Sequence, residues 1–441
     1  MNGIGTIRLR RIPGGPLALL LALSLALSLG GAFSSLDARS FPSSGDPAVR
    51  TEPGSTRKIC QVVGETDRRT GARTVNATET NYGFWGTDLG ASFEHEGELY
   101  FLFGDTHASG GLKRPRDADL IAVSRDDDPE DCIEMSFITD EDGGYRPLTI
   151  PGVSSGAFSV PTGGVSVNGE IHVFATTDFS PANPMGRSVL ASSGDKGRTF
   201  EFRHTVSSGK FINVAPVVVD GATVAGLPQS AGDAVLLWAS GRYRRSDPYL
   251  AAVPADRIAE PGEVRYFAGI DPASGRPRWS RDEPDAAPLF PESCLGELSV
   301  GWNPYLERWL MLYNCGTPRN RIYIRSAKLP WGPWSEPDIL FDPERDGGYC
   351  NFMNAGPRVV TVSTSGTACG SVSDPHTPDR AGDAYGPYLI PRFTRGTPGQ
   401  TSDIYYLMST WNPYTVVLMR STLSIGDDGG GLPQADTSRV W

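Results

Sequence analysis

The chain has 441 residues, among them 52 Gly, 36 Pro, nine Trp and fifteen Tyr, and a formal net charge of −11. That length suffices for one large domain or two ordinary ones, and this composition describes turns and aromatic strands rather than helices. The acidic balance lacks any basic cluster, which excludes nucleic acid as a partner and gives no attraction to an anionic membrane; a neutral polymer suits it.

At the N-terminus, Arg8, Arg10 and Arg11 precede an apolar run from Pro16 to Leu29, and the small residues Gly30, Gly31 and Ala32 follow. This is the pattern of a secretory signal peptide, assigned to residues 1–32, and it places the protein outside the cell or in the envelope. The run is shorter than the about 20 residues of a membrane span, with an uncleaved anchor as the alternative. Residues 33–58 are polar, rich in Ser and Pro, without period, and read as a disordered leader. Residues 59–441 then form one domain. The six cysteines of an exported chain read as three disulfides, with fifteen connectivities open. Sequence neighbours pair as Cys294–Cys315 and Cys350–Cys369, leaving Cys60–Cys132. There is no Cys-x-x-C and His is scarce, so no zinc site, other metal or cofactor is expected.

From Cys60 onward one unit recurs. Short apolar strands are predicted at Leu99–Phe103, Ile171–Ala175, Ala234–Ala239, Trp309–Tyr313 and Ile404–Met408. Most follow a turn with Gly, Asn or Asp, and each is followed by a small or polar residue. Five units give roughly 75 residues each, longer than the ~40–50 of common propeller repeats, the excess being loops. The expected fold is all-β, a closed five-bladed β-propeller of four-stranded blades, because a sandwich of this length would need two domains and no linker is seen. Ser193-Gly194-Asp195-Lys196-Gly197-Arg198-Thr199-Phe200 supports it. The stretch resembles the Asp-box hairpin of sialidase-like propellers, which reports fold and not chemistry.

Chemistry concentrates in Phe84 to His107. Two turns bearing carboxylates, Gly86-Thr87-Asp88-Leu89-Gly90 and Gly104-Asp105-Thr106, bracket the apolar strand Leu99–Phe103. A strand buried on both faces puts acids at its ends beside a dry core, where a carboxyl can serve as general acid or its partner. The bland reading is a pair of turn-capping aspartates. Trp85 and His107, at the ends of the stretch, are candidate sugar contacts. Glu297 precedes a Ser-Val-Gly-Trp run and must be bonded or line the central cavity, because lone acids are not buried. Pro330-Trp331-Gly332-Pro333-Trp334 reads as blade packing rather than a sugar platform. Tyr385-Gly386-Pro387-Tyr388, with Arg392 beyond, has the aromatic rings and guanidinium of a sugar cleft.

Together these stretches resemble a secreted bacterial propeller family, formerly a domain of unknown function and now grouped with endo-D-arabinanases. The likeness is carried by TDLG at 87–90, YFLFGDT at 100–106, GELSVGWNPYLERWLMLYN at 296–314, PWGPWSEP at 330–337, YGPYLIPRF at 385–393 and STWNPYTVVLMR at 409–420. The resemblance implies hydrolysis of D-arabinofuranosyl linkages in arabinogalactan and lipoarabinomannan by a monomeric glycoside hydrolase. It places the paired acids on Asp88 and Asp105; Glu297 is added from its position, as a third acid that donates the proton or tunes the others. The alternative is a non-catalytic glycan-binding propeller of the envelope, which would not need closely placed acids.

Overall fold

The computed structural model describes residues 47–228, 232–356, 372 and 380–426. The expected signal segment and the expected Cys350–Cys369 bond lie outside them. Five antiparallel sheets follow one another along the chain. The first holds β3 (Phe84–His95), β4 (Glu98–Ala108), β5 (Ala118–Ser124) and β6 (Ser136–Phe137), after the N-terminal β1 (Val49–Thr51) and β2 (Arg57–Gln61). The second holds β7 (Pro161–Val167), β8 (Glu170–Thr177), β9 (Arg187–Ser193) and β10 (Glu201–Ser207). The third has five strands, β11 (Asn213–Asp220), β12 (Asp233–Ser240), β13 (Pro248–Pro254), β14 (Arg265–Ile270) and β15 (Pro277–Ser280). The fourth holds β16 (Leu295–Asn303), β17 (Arg308–Cys315), β18 (Ile322–Ala327) and β19 (Asp338–Phe341). The fifth holds β20 (Ala384–Leu389), β21 (Arg395–Thr397), β22 (Thr401–Thr410) and β23 (Thr415–Ile425).

The first strand of each sheet packs against the first strand of the next, in the cycle β3, β7, β11, β16, β20 and back to β3. That cycle makes a five-bladed β-propeller. The five predicted apolar strands are the second strands of the five blades, β4, β8, β12, β17 and β22. They are apolar throughout because each blade is sandwiched between two others. In β4, Phe101 and Phe103 enter the core shared with the fifth blade, while Tyr100 and Leu102 enter the core shared with the second. In β22, Tyr406 and Met408 face the fourth blade, and Tyr405 and Leu407 face the first. A period-two strand therefore shows no polar face, and the five interblade cores replace one central core.

Two expectations about the blades change. The blades are not uniformly four-stranded, since the third has five strands and the fifth recruits β1 and β2 onto β23. Residues 47–58 consequently belong to the fold rather than to a disordered leader: Val49 pairs with Ile425 and Arg57 with Arg420. The chain start thus supplies the outer strands that a C-terminal blade would otherwise expose as an edge. The Cys60–Cys132 disulfide fastens β2 to the segment after β5, and Cys294–Cys315 links the ends of β16 and β17. The Asp-box forms the β9–β10 hairpin, with Ser193 and the Thr199 amide on Asp195 at 2.8 and 2.9 Å and Phe200 buried beneath. Trp331 and Trp334 are buried against Trp279 and Phe290, as the packing reading required.

Candidate active site

Asp88 and Asp105 do not sit in turns. They lie within the long, continuous strands β3 and β4, where the pairing slips and makes bulges, with Asp88 opposite Gly104. Bulges redirect side chains without ending a strand, which is how two carboxyls leave a ladder and enter a cavity. Asp105 takes a left-handed φ of 46°, a conformation that Asp tolerates better than most residues. Gly104 just before it is fixed by space: a Cβ there would meet Val160 at 2.7 Å.

Both acids line one cavity of about 550 Å³ on the propeller axis, together with Trp85, His107, Asp117, Phe158, Tyr243, Arg244, Glu297, Asp383, Tyr385, Trp411 and Tyr414. The contributors are the starts of the first strands and the segments that leave the second strands, so the cavity occupies one face of the ring. The Tyr385 hydroxyl donates to Asp88 Oδ2 at 2.8 Å, while Asp88 Oδ1 is buried with no hydrogen bond within ordinary distance among the described residues, the Tyr414 hydroxyl being near enough to act on this carboxyl. Tyr414 donates instead to the Asp105 carbonyl at 2.9 Å. The Phe158 amide points at both Asp105 carboxyl oxygens, at 3.2 and 3.3 Å.

Burial, reinforced by the neighbouring Asp105 charge, drives the Asp88 carboxyl well above the usual carboxylate range. Burial likewise raises Asp105 to about 7, against the Phe158 amide, which lowers it. Asp119, behind them on β5, is buried and raised by desolvation and by the Asp105 charge. Among the described residues no cation is bonded to any of the three. Around the axis the charge is handled differently. Glu297 is buried too, and desolvation pushes it up, but the Arg244 guanidinium and Asn314 outweigh that and hold it below its ordinary value. Arg244 binds Glu297 through Nε and Nη2 at 3.0 and 2.9 Å, and Asn314 adds a bond at 2.7 Å. The guanidinium stacks between Tyr243 and Tyr385 and reaches Asp383 at 3.5 Å. A carboxylate gripped in this way is ionised, so Glu297 cannot be the proton donor expected as one of its roles.

Trp85 and His107 stack face to face at 5.1 Å on the cavity wall, with Tyr414 against both. Tyr385 lies at the cavity floor. Tyr388 and Arg392 do not line this cavity, although the buried Tyr388 hydroxyl still feels the Glu297 and Asp88 charges. Arg392 forms an ion pair with Glu94, and both it and the buried Tyr388 line a second cavity of about 450 Å³ at the other end of the axis. The strand direction explains the split: β3 and β20 each run from one cavity to the other, so the early residues of each strand line the first cavity and the later ones the second. Sequence reasoning missed Tyr243, Arg244, Asp119, Asp383 and Tyr414. A signal for Tyr243 and Arg244 existed, because they follow the predicted apolar run Ala234–Ala239 by a few residues, as Asp105 follows Leu99–Phe103.

A ring of five blades with buried carboxyls gathered at one axial mouth defines a five-bladed propeller with an acid-centred cavity. The chain belongs to the family described as Domain of unknown function (DUF4185), whose family model matches residues 73–420. It is similar to "Notoamide biosynthesis cluster protein J" of Aspergillus sp. (strain MF297-2), 27% identical over 382 residues that cover 80% of this chain and 95% of that protein. Among solved structures, a GH43_1 enzyme from Xanthomonas citri aligns with a TM-score of 0.41 at 12% identity, covering 79% of this chain and 89% of its own. A xylan beta-1,4-xylosidase from Bacillus halodurans C-125 aligns with a TM-score of 0.39 at 10% identity, covering 77% and 53%. Neither likeness reaches a TM-score of 0.5, and neither bears on the chemistry.

Proposed function

We propose that this protein is a glycoside hydrolase acting on D-arabinofuranosyl linkages of a neutral arabinan, with Asp88 and Asp105 as its catalytic pair. The observation that carries the hydrolase reading is two interacting carboxyls, both raised, in one cavity and, among the described residues, bonded to no cation. Such a pair loses its protons in two separated steps, and between them one carboxyl is an acid and the other a base. Asp88 keeps the proton and delivers it to the leaving oxygen. Asp105, held by the Phe158 amide, is the ionised partner that attacks the anomeric carbon or activates water. The Glu297–Arg244 pair fixes Tyr385 and with it Asp88 Oδ2. Among the described residues, the Arg244 guanidinium of the cavity is taken up by Glu297 and Asp383. The furanose identity rests on the sequence resemblance alone.

The test is release of oligosaccharides from purified D-arabinan, with Asp88→Asn as the control. Turnover by the wild type and a fall of at least about 10²-fold in the variant are expected, the lower end for losing a general acid. Binding without any turnover would instead identify the glycan-binding alternative.

A further inference from the structure

Beside the acid cavity stand two aromatic rings to which no role attaches. Phe158 and Phe179 stack face to face, with centroids 5.6 Å apart and planes 9° from parallel. Tyr243 meets Phe158 edge-on at 5.4 Å, so a row of rings runs from the cavity wall to solvent. Phe179 is 49% exposed, the second largest exposure among the large apolar side chains of the described residues. The row is built at conformational cost. Phe158 has φ 62°, a left-handed value that a bulky residue rarely adopts, and Asp178, which delivers Phe179, also has φ 62°.

The loop that carries Phe179 is held in place. Asp178 pairs with Arg187 at 2.5 Å, Ser180 and Asn183 exchange backbone bonds at 3.1 Å, and Arg242 donates to the Ala182 carbonyl at 3.2 Å. At its other end the row is coupled to the chemistry, because the amide of Phe158 is the group that faces Asp105. An apolar ring half in water, on strained and fastened backbone, continuous with an acid cavity, is a pre-ordered surface for a flat ligand.

We propose that Phe158 and Phe179 form an aromatic platform that seats one ring of a neutral saccharide chain next to the bond on which the acids act. This rests on the glycosidase reading above. The C–H face of a sugar covers an aromatic face while its hydroxyls stay at the edge, where the exposed Asp178–Arg187 pair offers both an acceptor and donors. The site therefore takes a polymer or oligomer, and a ring on Phe179 is one that a single-sugar substrate would leave empty.

The experiment is affinity electrophoresis of the full chain carrying Asp105→Asn, to prevent hydrolysis, through gels containing soluble arabinan, arabinogalactan, xylan or galactan. Stacking covers on the order of 50 Å² of apolar surface, worth about tenfold in affinity. Adding Phe179→Ala should weaken retardation about tenfold and Phe179→Leu, which keeps apolar area without a flat face, by less, while Phe179→Trp should preserve it. Full retardation by Phe179→Leu would reduce the contact to simple apolar burial and overturn the flat platform. If a glycan retards the protein and Phe179→Ala changes nothing, the platform is overturned and the glycan reading stands. If no glycan retards it, both fall.

Discussion

Replacing Asp105 by Asn should make the protein more stable at alkaline pH while removing its turnover. The native carboxyl keeps its proton up to about pH 7, whereas in the unfolded chain it releases it near 4. Stability therefore falls as pH rises between about 4 and 7, and the full penalty persists above 7. Three pH units at ~1.36 kcal/mol each set a ceiling of about 4 kcal/mol. Partial exposure and coupling to Asp88 reduce it, and about 1–2 kcal/mol is the working expectation. Asn retains an acceptor for the Phe158 amide and tolerates φ 46°, so the substitution removes charge without removing shape. The assay is thermal unfolding of wild type and Asp105→Asn at pH 5 and pH 8. The melting temperatures should nearly coincide at pH 5, and the variant should melt about 2–4 °C higher at pH 8. In the wild type, activity should rise with pH through about 7 as Asp105 ionises, then fall as Asp88 loses its proton. A variant that melts lower than wild type at pH 8 and retains turnover would show Asp105 to be a structural cap, and would refute the reasoning.

Glu297→Gln removes the charge and one of the two acceptors that face buried Arg244, leaving Asp383 at 3.5 Å as its charged partner, so a loss of about 2–4 kcal/mol is expected in denaturant titration, together with reduced turnover. An unchanged midpoint would mean that Arg244 finds another partner. Asp195→Ala should cost about 1 kcal/mol or less at neutral pH, because the Asp-box turn is exposed, and should spare activity entirely. Desolvation is the largest single influence and raises this carboxyl, but the bonds from Thr199 and Ser193 together outweigh it and bring it down to about 2, so the wild-type advantage should vanish as pH falls from about 4 to 2. A turnover defect in that variant would contradict the assignment of the box to the fold alone.

The architecture was legible because it is written five times. Each blade buries its second strand on both faces, so Leu99–Phe103 and its four counterparts appear as unbroken apolar runs at intervals, and repetition turns a weak local signal into a fold. The Asp-box and the Trp331–Trp334 corner were equally local, since turn bonds and adjacent packing involve residues near in sequence. The strands of the N-terminal segment were not, because β1 and β2 are polar pieces that exist only by pairing with β23 at the far end of the chain.

The site divides along the same line. The Gly-Asp stretches identify Asp88 and Asp105 as unusual, and their closeness in sequence brings both to one blade. That Glu297 is ionised rather than a proton donor depends on Arg244, which comes from another blade, 53 residues away. That Tyr385 and Tyr388 line different cavities follows from β20 crossing the ring from one cavity to the other, a direction that no composition carries. Local chemistry needs only neighbours along the chain. The charge state of a carboxyl is set by what the closed ring places across the axis, and that is decided by the tertiary structure alone.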